Sequence, residues 1–255
     1  MRPWIRCAST RPAAVLAALG ALALPTSGPS AAARQLAADT APSPAYRTLY
    51  LVRHGEYDHA DPRDAWLGNA LVPIGVAQAR LLGARLRALP FRFAAFRASP
   101  LARALQTAQV LAQDLPEVPL EIDPNLEECT PPTRRSEVIA DESAEALAAC
   151  RAQLERLVAE WLKPSARERN DLLVAHGNVI RYLVTRALGV DPTAWLEMSI
   201  GNASLTMIRV EPDGRFKVLA VGDVGHLPSS LQTGRTGDAE RDLATPSPAT
   251  AGSSR

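Results

Sequence analysis

Short apolar runs alternate with longer amphipathic segments between residues 48 and 221, and this alternation limits the possible folds more than any other feature of the chain. The predicted strands are 48–52, 94–98, 120–123, 172–175, 203–210 and 216–221. The predicted helices are 73–89, 100–115, a segment from about 147 to 161, and 178–188. Pro212-Asp-Gly214 between the last two strands is typical of a hairpin. The pattern predicts an α/β fold, a three-layer α/β/α sandwich with a mainly parallel central sheet.

The two ends of the chain lack this pattern. Residues 1–33 combine a basic start, a short apolar run and an Ala-rich zone, and they are predicted to be a cleaved signal peptide, followed by a linker at 34–45. The chain is then periplasmic or secreted. An uncleaved membrane anchor is less favoured because the apolar run is too short to span a bilayer. An organelle-targeting segment and a misassigned start codon remain open. Residues 229–255 are predicted to be a disordered tail, which leaves one domain at 46–228.

The balance of charge excludes a general attraction to nucleic acid or anionic membranes. Lys and Arg total 28 against 27 for Asp and Glu, so any preference for an anion must come from a local site. The cysteines form no metal-binding pattern. Cys129 and Cys150 could pair in an exported protein or remain two free thiols.

Basic and histidine side chains follow three of the predicted strands directly. Arg53 and His54 follow the first, Ser99-Pro-Leu-Ala-Arg103 follows the second, and His176 follows the strand at 172–175. In open α/β sheets, ligands bind beyond the carboxyl ends of the strands. The helices that begin at two of these points add backbone N–H donors. The sequence therefore predicts a cationic pocket for a phosphate dianion, which arginine binds with paired hydrogen bonds.

Three of these segments resemble the signatures of the histidine phosphatase (phosphoglycerate mutase-like) superfamily. They are Leu51-Val-Arg-His-Gly-Glu56, Ser99-Pro-Leu-Ala-Arg-Ala-Leu-Gln-Thr107 and Ala175-His-Gly177. Segments 178–188 and 222–228 are similar to the mitochondrial serine/threonine protein phosphatase branch of that superfamily. The resemblance implies a phosphoglycerate mutase-like fold and a phosphatase that needs neither metal nor cofactor.

The resemblance also implies roles for individual residues. His54 would attack phosphorus, and Arg53, Arg103 and His176 would hold the phosphoryl oxygens. A carboxylic acid would protonate the leaving oxygen and later activate water. Glu127 and Glu128 are both candidates for this acid, and Glu128 is favoured because the acid of the family usually stands two residues after a leucine.

Two departures from the family pattern concern the pocket and the helix beside it. Tyr57 stands where Thr, Ser or Asn is common, so the sequence does not show which uncharged side chains form hydrogen bonds in the pocket. Leu71-Val72 replaces the usual Leu-Thr and removes a hydroxyl that could cap the next helix.

Three other classes of function fit the sequence less well. A zinc hydrolase could use His54, Asp58, His59, His176 and the two glutamates, but two arginines in the same pocket would repel the cation. His59 and His226 are interpreted as loop residues. A phosphoprotein-binding module would not need both a nucleophile and an acid, and a mutase needs more than the roughly 47 residues between Glu128 and His176. The substrate stays open between phosphoserine or phosphothreonine in proteins and small phosphomonoesters, and the oligomeric state cannot be predicted.

Overall fold

The computed structural model describes residues 45–66 and 68–234. Its strands are β1 (Arg47–Arg53), β2 (Ala95–Ala98), β3 (Leu120–Ile122), β4 (Arg169–Ala175), β5 (Leu205–Val210) and β6 (Phe216–Asp223). Its α-helices are α1 (Pro73–Arg87), α2 (Ala102–Ala112), α3 (Ala144–Trp161) and α4 (Gly177–Leu188). Short 3₁₀ helices cover Pro124–Leu126, Ser136–Val138, Pro192–Glu197 and Ser229–Leu231. Every strand and helix that the sequence predicted is present.

The strands form one six-stranded sheet in the order β3-β2-β4-β1-β5-β6. β1, β2, β3 and β4 run parallel to one another, whereas β5 is antiparallel to β1 and β6 is antiparallel to β5. The predicted mainly parallel sheet is therefore confirmed. β2, β4 and β1 lie side by side in the middle of the sheet, so their carboxyl ends open at one common edge.

Helices cover both faces of this sheet. Successive side chains of a strand point to opposite faces. In β1, Leu49 and Leu51 pack in one apolar cluster with α3 and α4, whereas Tyr50 and Val52 pack in a second cluster with α1 and α2. The three-layer α/β/α architecture follows from this division of the core.

β4 begins at Arg169, three residues before the strand predicted from the apolar run. The added residues include Asp171, whose side chain is fully buried. Nε of Arg47 donates to this carboxylate at 2.8 Å, and Arg169 donates to it at 2.6 Å. Because the buried charge is paired on two sides, polar residues can continue the strand here.

Helix α1 begins without a side-chain cap, as the sequence predicted. Val72 is the N-cap residue and supplies no side-chain hydrogen bond. Pro73 follows at the first helical position, where the missing N–H of proline has no intrahelical partner to lose.

A disulfide joins Cys129 to Cys150, the pairing that the sequence left open. Cys129 lies in the loop that follows the 3₁₀ helix Pro124–Leu126, and Cys150 lies in α3. The bond therefore ties this loop to the middle of a helix that packs on the sheet.

The domain continues beyond the boundary predicted at Pro228. Thr233 is buried, and its carbonyl accepts a hydrogen bond from the backbone N–H of Asn202 at 3.0 Å. Side-chain Nε2 of Gln78 donates to Thr233 Oγ1 at 2.9 Å. Residues 229–234 are therefore part of the fold, because hydrogen bonds to distant segments hold them.

The predicted signal peptide, the linker up to residue 44 and the tail from residue 235 lie outside the described residues. Within the described ranges, none of the helices combines the length and the apolar character that a membrane span requires.

Candidate active site

The middle strands bring the predicted site residues to one edge of the sheet. Arg53 ends β1 and His54 follows it, Ser99 follows β2, Arg103 lies in the first turn of α2, and His176 precedes α4. The ring centroids of His54 and His176 are 5.1 Å apart. Nε of Arg103 lies 3.3 Å from Nε2 of His54. The structure therefore gathers the four residues that were expected to hold a phosphate.

Two hydrogen bonds determine which ring nitrogen of His54 carries the proton. Nδ1 lies 2.8 Å from the carbonyl oxygen of Gly55, which can only accept, so Nδ1 must carry hydrogen. Nε2 receives a hydrogen bond from Nε–H of Arg103, so Nε2 must have a free lone pair. Both contacts assign the same tautomer.

The environment of His54 keeps this ring neutral. The side chain is almost completely buried, and burial lowers its pKa well below the usual value. The positive charges of Arg53 and Arg103 and the ring of His176 lower this pKa further. Nε2 is therefore available as a nucleophile at neutral pH and below it.

Arg53 is held by backbone oxygens at one terminal nitrogen of its guanidinium. Its terminal nitrogen donates to the carbonyls of Ile200 at 2.6 Å and Gly234 at 3.0 Å. Its Nε is buried and has no hydrogen-bond partner among the described residues. The anchored guanidinium thus presents one unused donor to the pocket.

Arg103 is positioned by its own helix and by an aromatic ring. The carbonyl of Arg103 accepts a hydrogen bond from Thr107 Oγ1, and that oxygen accepts in turn from the backbone N–H of Gly55. The guanidinium lies 5.0 Å from the ring centroid of Tyr57. The rings of Tyr57 and His54 also pack nearly perpendicular to each other, with 5.2 Å between their centroids. The tyrosine that departs from the family pattern is therefore an aromatic wall of this pocket.

His176 presents a second unused nitrogen. Its Nε2 lies 2.8 Å from the hydroxyl of Ser99, and its Nδ1 is buried without a hydrogen-bond partner in the described ranges. Burial, together with Arg103 and Arg53, lowers the pKa of His176 well below the usual value. With Ser99 donating to Nε2, a neutral ring carries its proton on Nδ1, where it can be offered to an anion.

Of the two adjacent glutamates, Glu128 is the one that the arginines face. Burial raises the pKa of its carboxyl to about 7, against the opposite effect of Arg53, Arg103 and Arg181. Its Oε1 is buried and lacks a partner among the described residues. Burial also raises the pKa of Glu127, but no arginine contributes to that shift. A carboxyl that can change its protonation state near neutral pH is suited to general acid and base catalysis.

Two residues of the site were not singled out from the sequence. Arg181 in α4 donates Nη1–H to the side-chain oxygen of Asn178 at 3.2 Å, and Asn178 donates its backbone N–H to the carboxyl of Glu128. A side chain built on Gly177 would begin 3.2 Å from Arg181 Nη1 and 3.7 Å from Arg53 Nε, which places both guanidinium groups beside this glycine. The spacing could have shown this, because Arg181 lies four residues after Gly177 on the same helix face.

The remaining histidines lie in other contacts. His59 bonds to Glu56 at 2.8 Å, and His226 lies 3.3 Å from a nitrogen of Arg85. Residues 45–66 and 68–234 contain no group of three His, Cys, Asp or Glu side chains arranged to hold a metal ion.

Comparison with known proteins connects this site to a family. Residues 49–133 and 131–223 match the histidine phosphatase superfamily (branch 1). The mitochondrial serine/threonine-protein phosphatase Pgam5 of Caenorhabditis elegans is 37% identical over 190 residues, 72% of this chain and 65% of that protein. Its human counterpart PGAM5 is 32% identical over 199 residues, with the same two shares. A crystal structure of phosphoglycerate mutase from Plasmodium falciparum is 24% identical, with a TM-score of 0.52 over 72% of this chain and 96% of that chain, which shows the likeness of fold.

The chain spans just under two thirds of the length of these two phosphatases. The family match covers most of the described residues and includes every strand that carries the pocket. This chain therefore belongs to branch 1 of the histidine phosphatase superfamily.

Proposed function

We propose that this chain is a phosphatase that hydrolyses phosphomonoesters through a phosphohistidine formed on His54. The observation that carries the proposal is the lone pair on Nε2 of His54, beside Arg103 in a buried cationic pocket. Two further buried nitrogens in that pocket lack partners among the described residues: Nε of Arg53 is a donor, and Nδ1 of His176 is a donor when the Ser99 hydroxyl gives its proton to Nε2. Unpaired buried donors are costly, and a phosphate dianion would satisfy them.

In the first step, Nε2 of His54 attacks phosphorus and the bond to the leaving oxygen breaks. Arg53, Arg103 and His176 hold the phosphoryl oxygens, where negative charge is concentrated in the transition state. Glu128, protonated because burial raises its pKa to about 7, gives its proton to the leaving oxygen. The products are the alcohol, a phosphohistidine and an ionised Glu128.

In the second step, Glu128 acts as the base. It takes a proton from water as the water attacks phosphorus, the N–P bond breaks, and inorganic phosphate leaves. His54 returns to its neutral form and Glu128 to its protonated form. A carboxyl with a pKa near the working pH can serve both steps with little penalty in either.

We further propose phosphoserine and phosphothreonine in proteins as the substrate. Two relatives that cover most of this chain are serine/threonine-protein phosphatases by name. Alkyl phosphates leave as alkoxides and need a proton, and the raised pKa of Glu128 supplies an acid suited to them. Comparing kcat/KM for phosphoserine peptides and small sugar phosphates tests this choice, and a preference of more than about tenfold for the small esters would reverse it.

The activity itself is tested with p-nitrophenyl phosphate in the presence of EDTA. The phosphoryl charge is met by protein cations, so we expect turnover without metal. Activity that disappears in EDTA and returns with zinc would contradict the mechanism. Binding of phosphopeptides with no release of phosphate would instead support a phosphoprotein-binding module.

The location of the protein stays a prediction, because residues 1–33 lie outside the described ranges. The basic, acid-poor leader fits export, and the relatives named above are mitochondrial proteins, which fits the organelle-targeting alternative. We propose that the leader is a cleaved targeting segment, with export as the destination. N-terminal sequencing that finds a start near Arg34 in a periplasmic fraction would support this, and a chain that begins at Met1 in the cytoplasm would refute it.

A further inference from the structure

The proposed acid Glu128 belongs to a loop, and helix α3 holds this loop. Nε2 of Gln153 in α3 donates to the carbonyl oxygens of Asn125 and Glu127, each at 2.9 Å. The backbone immediately before Glu128 is therefore fixed to the helix by a pair of hydrogen bonds.

The backbone immediately after Glu128 is fixed as well. Cys129 is joined by the disulfide to Cys150, which lies three residues before Gln153 in α3 and is buried in the apolar cluster. The carbonyl of Cys129 also accepts a hydrogen bond from the side chain of Asn178 at 3.1 Å. Glu128 thus lies between two anchored neighbours, and both are attached to the same stretch of one helix.

The attachment of the loop to α3 works against movement of the Glu128 side chain into solvent. Oε1 of Glu128 is buried without a partner in the described part of the chain, and an unsatisfied buried carboxyl gains free energy by reaching water. Residues 127–135 form a loop between two 3₁₀ helices, so no ladder of backbone hydrogen bonds within the loop opposes that movement.

We propose that Cys150 and Gln153 are positioning residues that hold Glu128 against the phosphate pocket. This inference rests on the proposed phosphatase mechanism. It assigns the disulfide a role in one chemical event, the transfer of a proton to a poor leaving group. The phosphate-binding groups lie on β1, α2 and α4 and do not depend on α3 for their contacts.

The test compares the first turnover of two esters by rapid mixing. A phosphoserine peptide needs the proton of Glu128, whereas p-nitrophenyl phosphate releases its leaving group unaided. In the double variant Cys129→Ser with Cys150→Ser, phosphorylation of His54 by the peptide should slow by about 10- to 100-fold, because displacing a catalytic group by about 1 Å costs up to that factor. Phosphorylation by p-nitrophenyl phosphate should change by less than about threefold, since the phosphate pocket is intact. Gln153→Ala should shift the ratio of the two rates in the same direction while keeping the disulfide.

Leu157→Ala provides the matched control. Leu157 is a fully buried residue of the same helix, and its apolar side chain cannot form a hydrogen bond to the loop at 127–135. Its truncation destabilises the helix packing and should leave the ratio of the two rates unchanged.

The pH dependence supplies an independent readout. Release of Glu128 into water lowers its pKa, so the alkaline decline in peptide hydrolysis should move to lower pH in both variants. The charged and titratable groups around the carboxyl are the same in all of these variants, so they do not cause the shift. They are Arg53 of β1, Arg103 of α2, Arg181 of α4, and the rings of His54 and His176.

An unchanged ratio in both variants, or an equal loss with both esters, would overturn the positioning role. Failure of the unaltered protein to hydrolyse either ester would refute the proposed function itself, which is a separate result.

Discussion

Nε of Arg103 lies 3.3 Å from Nε2 of His54 and donates its hydrogen to that nitrogen. The guanidinium thereby occupies the position from which a proton would otherwise add to the proposed nucleophile. In the proposed mechanism, an entering phosphoryl group replaces this hydrogen bond. It then presents phosphorus to His54 and an oxygen to Arg103, so one contact prepares both the attack and the binding of charge.

The tautomer of His54 is open to direct measurement. We expect nitrogen NMR of the free protein to show the proton on Nδ1 of His54 at neutral pH, because the carbonyl of Gly55 accepts it. Replacing the arginine in Arg103→Gln removes a positive charge that lowers the pKa of His54, so this pKa should rise. A proton found on Nε2, or a pKa that falls in the variant, would contradict the assignment.

His54→Ala should abolish turnover. Removing a covalent nucleophile costs on the order of 10⁴-fold or more in kcat. Circular dichroism and thermal unfolding should show that the variant is folded, since His54 lies at the edge of the sheet and outside both apolar clusters. Substantial activity in the folded variant would place the nucleophile elsewhere.

The two adjacent glutamates should behave differently. Glu128→Gln should slow phosphoserine hydrolysis by about 10²- to 10⁴-fold, the usual size of general acid catalysis. With p-nitrophenyl phosphate the same variant should give a burst of nitrophenol and a trapped phosphoenzyme, because water then lacks its base. Glu127→Gln is the matched control and should do neither. A burst in the Glu127 variant alone would reverse the assignment, and a burst in neither would place the acid outside this loop.

The pH profile should depend on the leaving group. Because the pKa of Glu128 is about 7, the protonated acid is lost above that pH, and kcat/KM for phosphoserine peptides should fall by about tenfold per pH unit. For p-nitrophenyl phosphate, kcat/KM should stay nearly constant over the same range. The pKa of His54 is well below its usual value, so its protonation should limit neither substrate near neutral pH. Parallel declines for the two substrates would argue against Glu128 as the acid.

Glu128 should also lower stability at high pH. Its folded pKa of about 7 is raised above the ordinary value of 4.5, so its contribution to the free energy of unfolding is greatest below pH 4.5 and is lost as pH rises through 7. Glu128→Gln avoids this loss and should raise the free energy of unfolding by about 1–3 kcal/mol at pH 8 relative to its effect at pH 4. Urea titrations at the two pH values measure the difference. An equal change in the free energy of unfolding at both pH values would show that burial does not raise the pKa of Glu128.

The alternation of strands and helices, and with it the three-layer fold, could be predicted from the sequence. So could the convergence of Arg53, His54, Arg103 and His176. These features are local, because the alternation of residues along a strand and the residues that end it follow one another in the sequence. Once strands are parallel and adjacent, whatever follows them meets at one edge.

Only the tertiary structure decided the features that depend on which distant segments touch. Gly234 contributes one of the two carbonyls that anchor Arg53, although the sequence around it was predicted to be a disordered tail. The pairing of Cys129 with Cys150 was likewise left open by the sequence, and the spacing of Arg181 from Gly177 gave its helix face but not its position beside Glu128. Glu127 and Glu128 are the same residue type at neighbouring positions, and they differ in the charges that face them. Burial and distance set a pKa, and both arise from packing between parts of the chain that composition and periodicity do not connect.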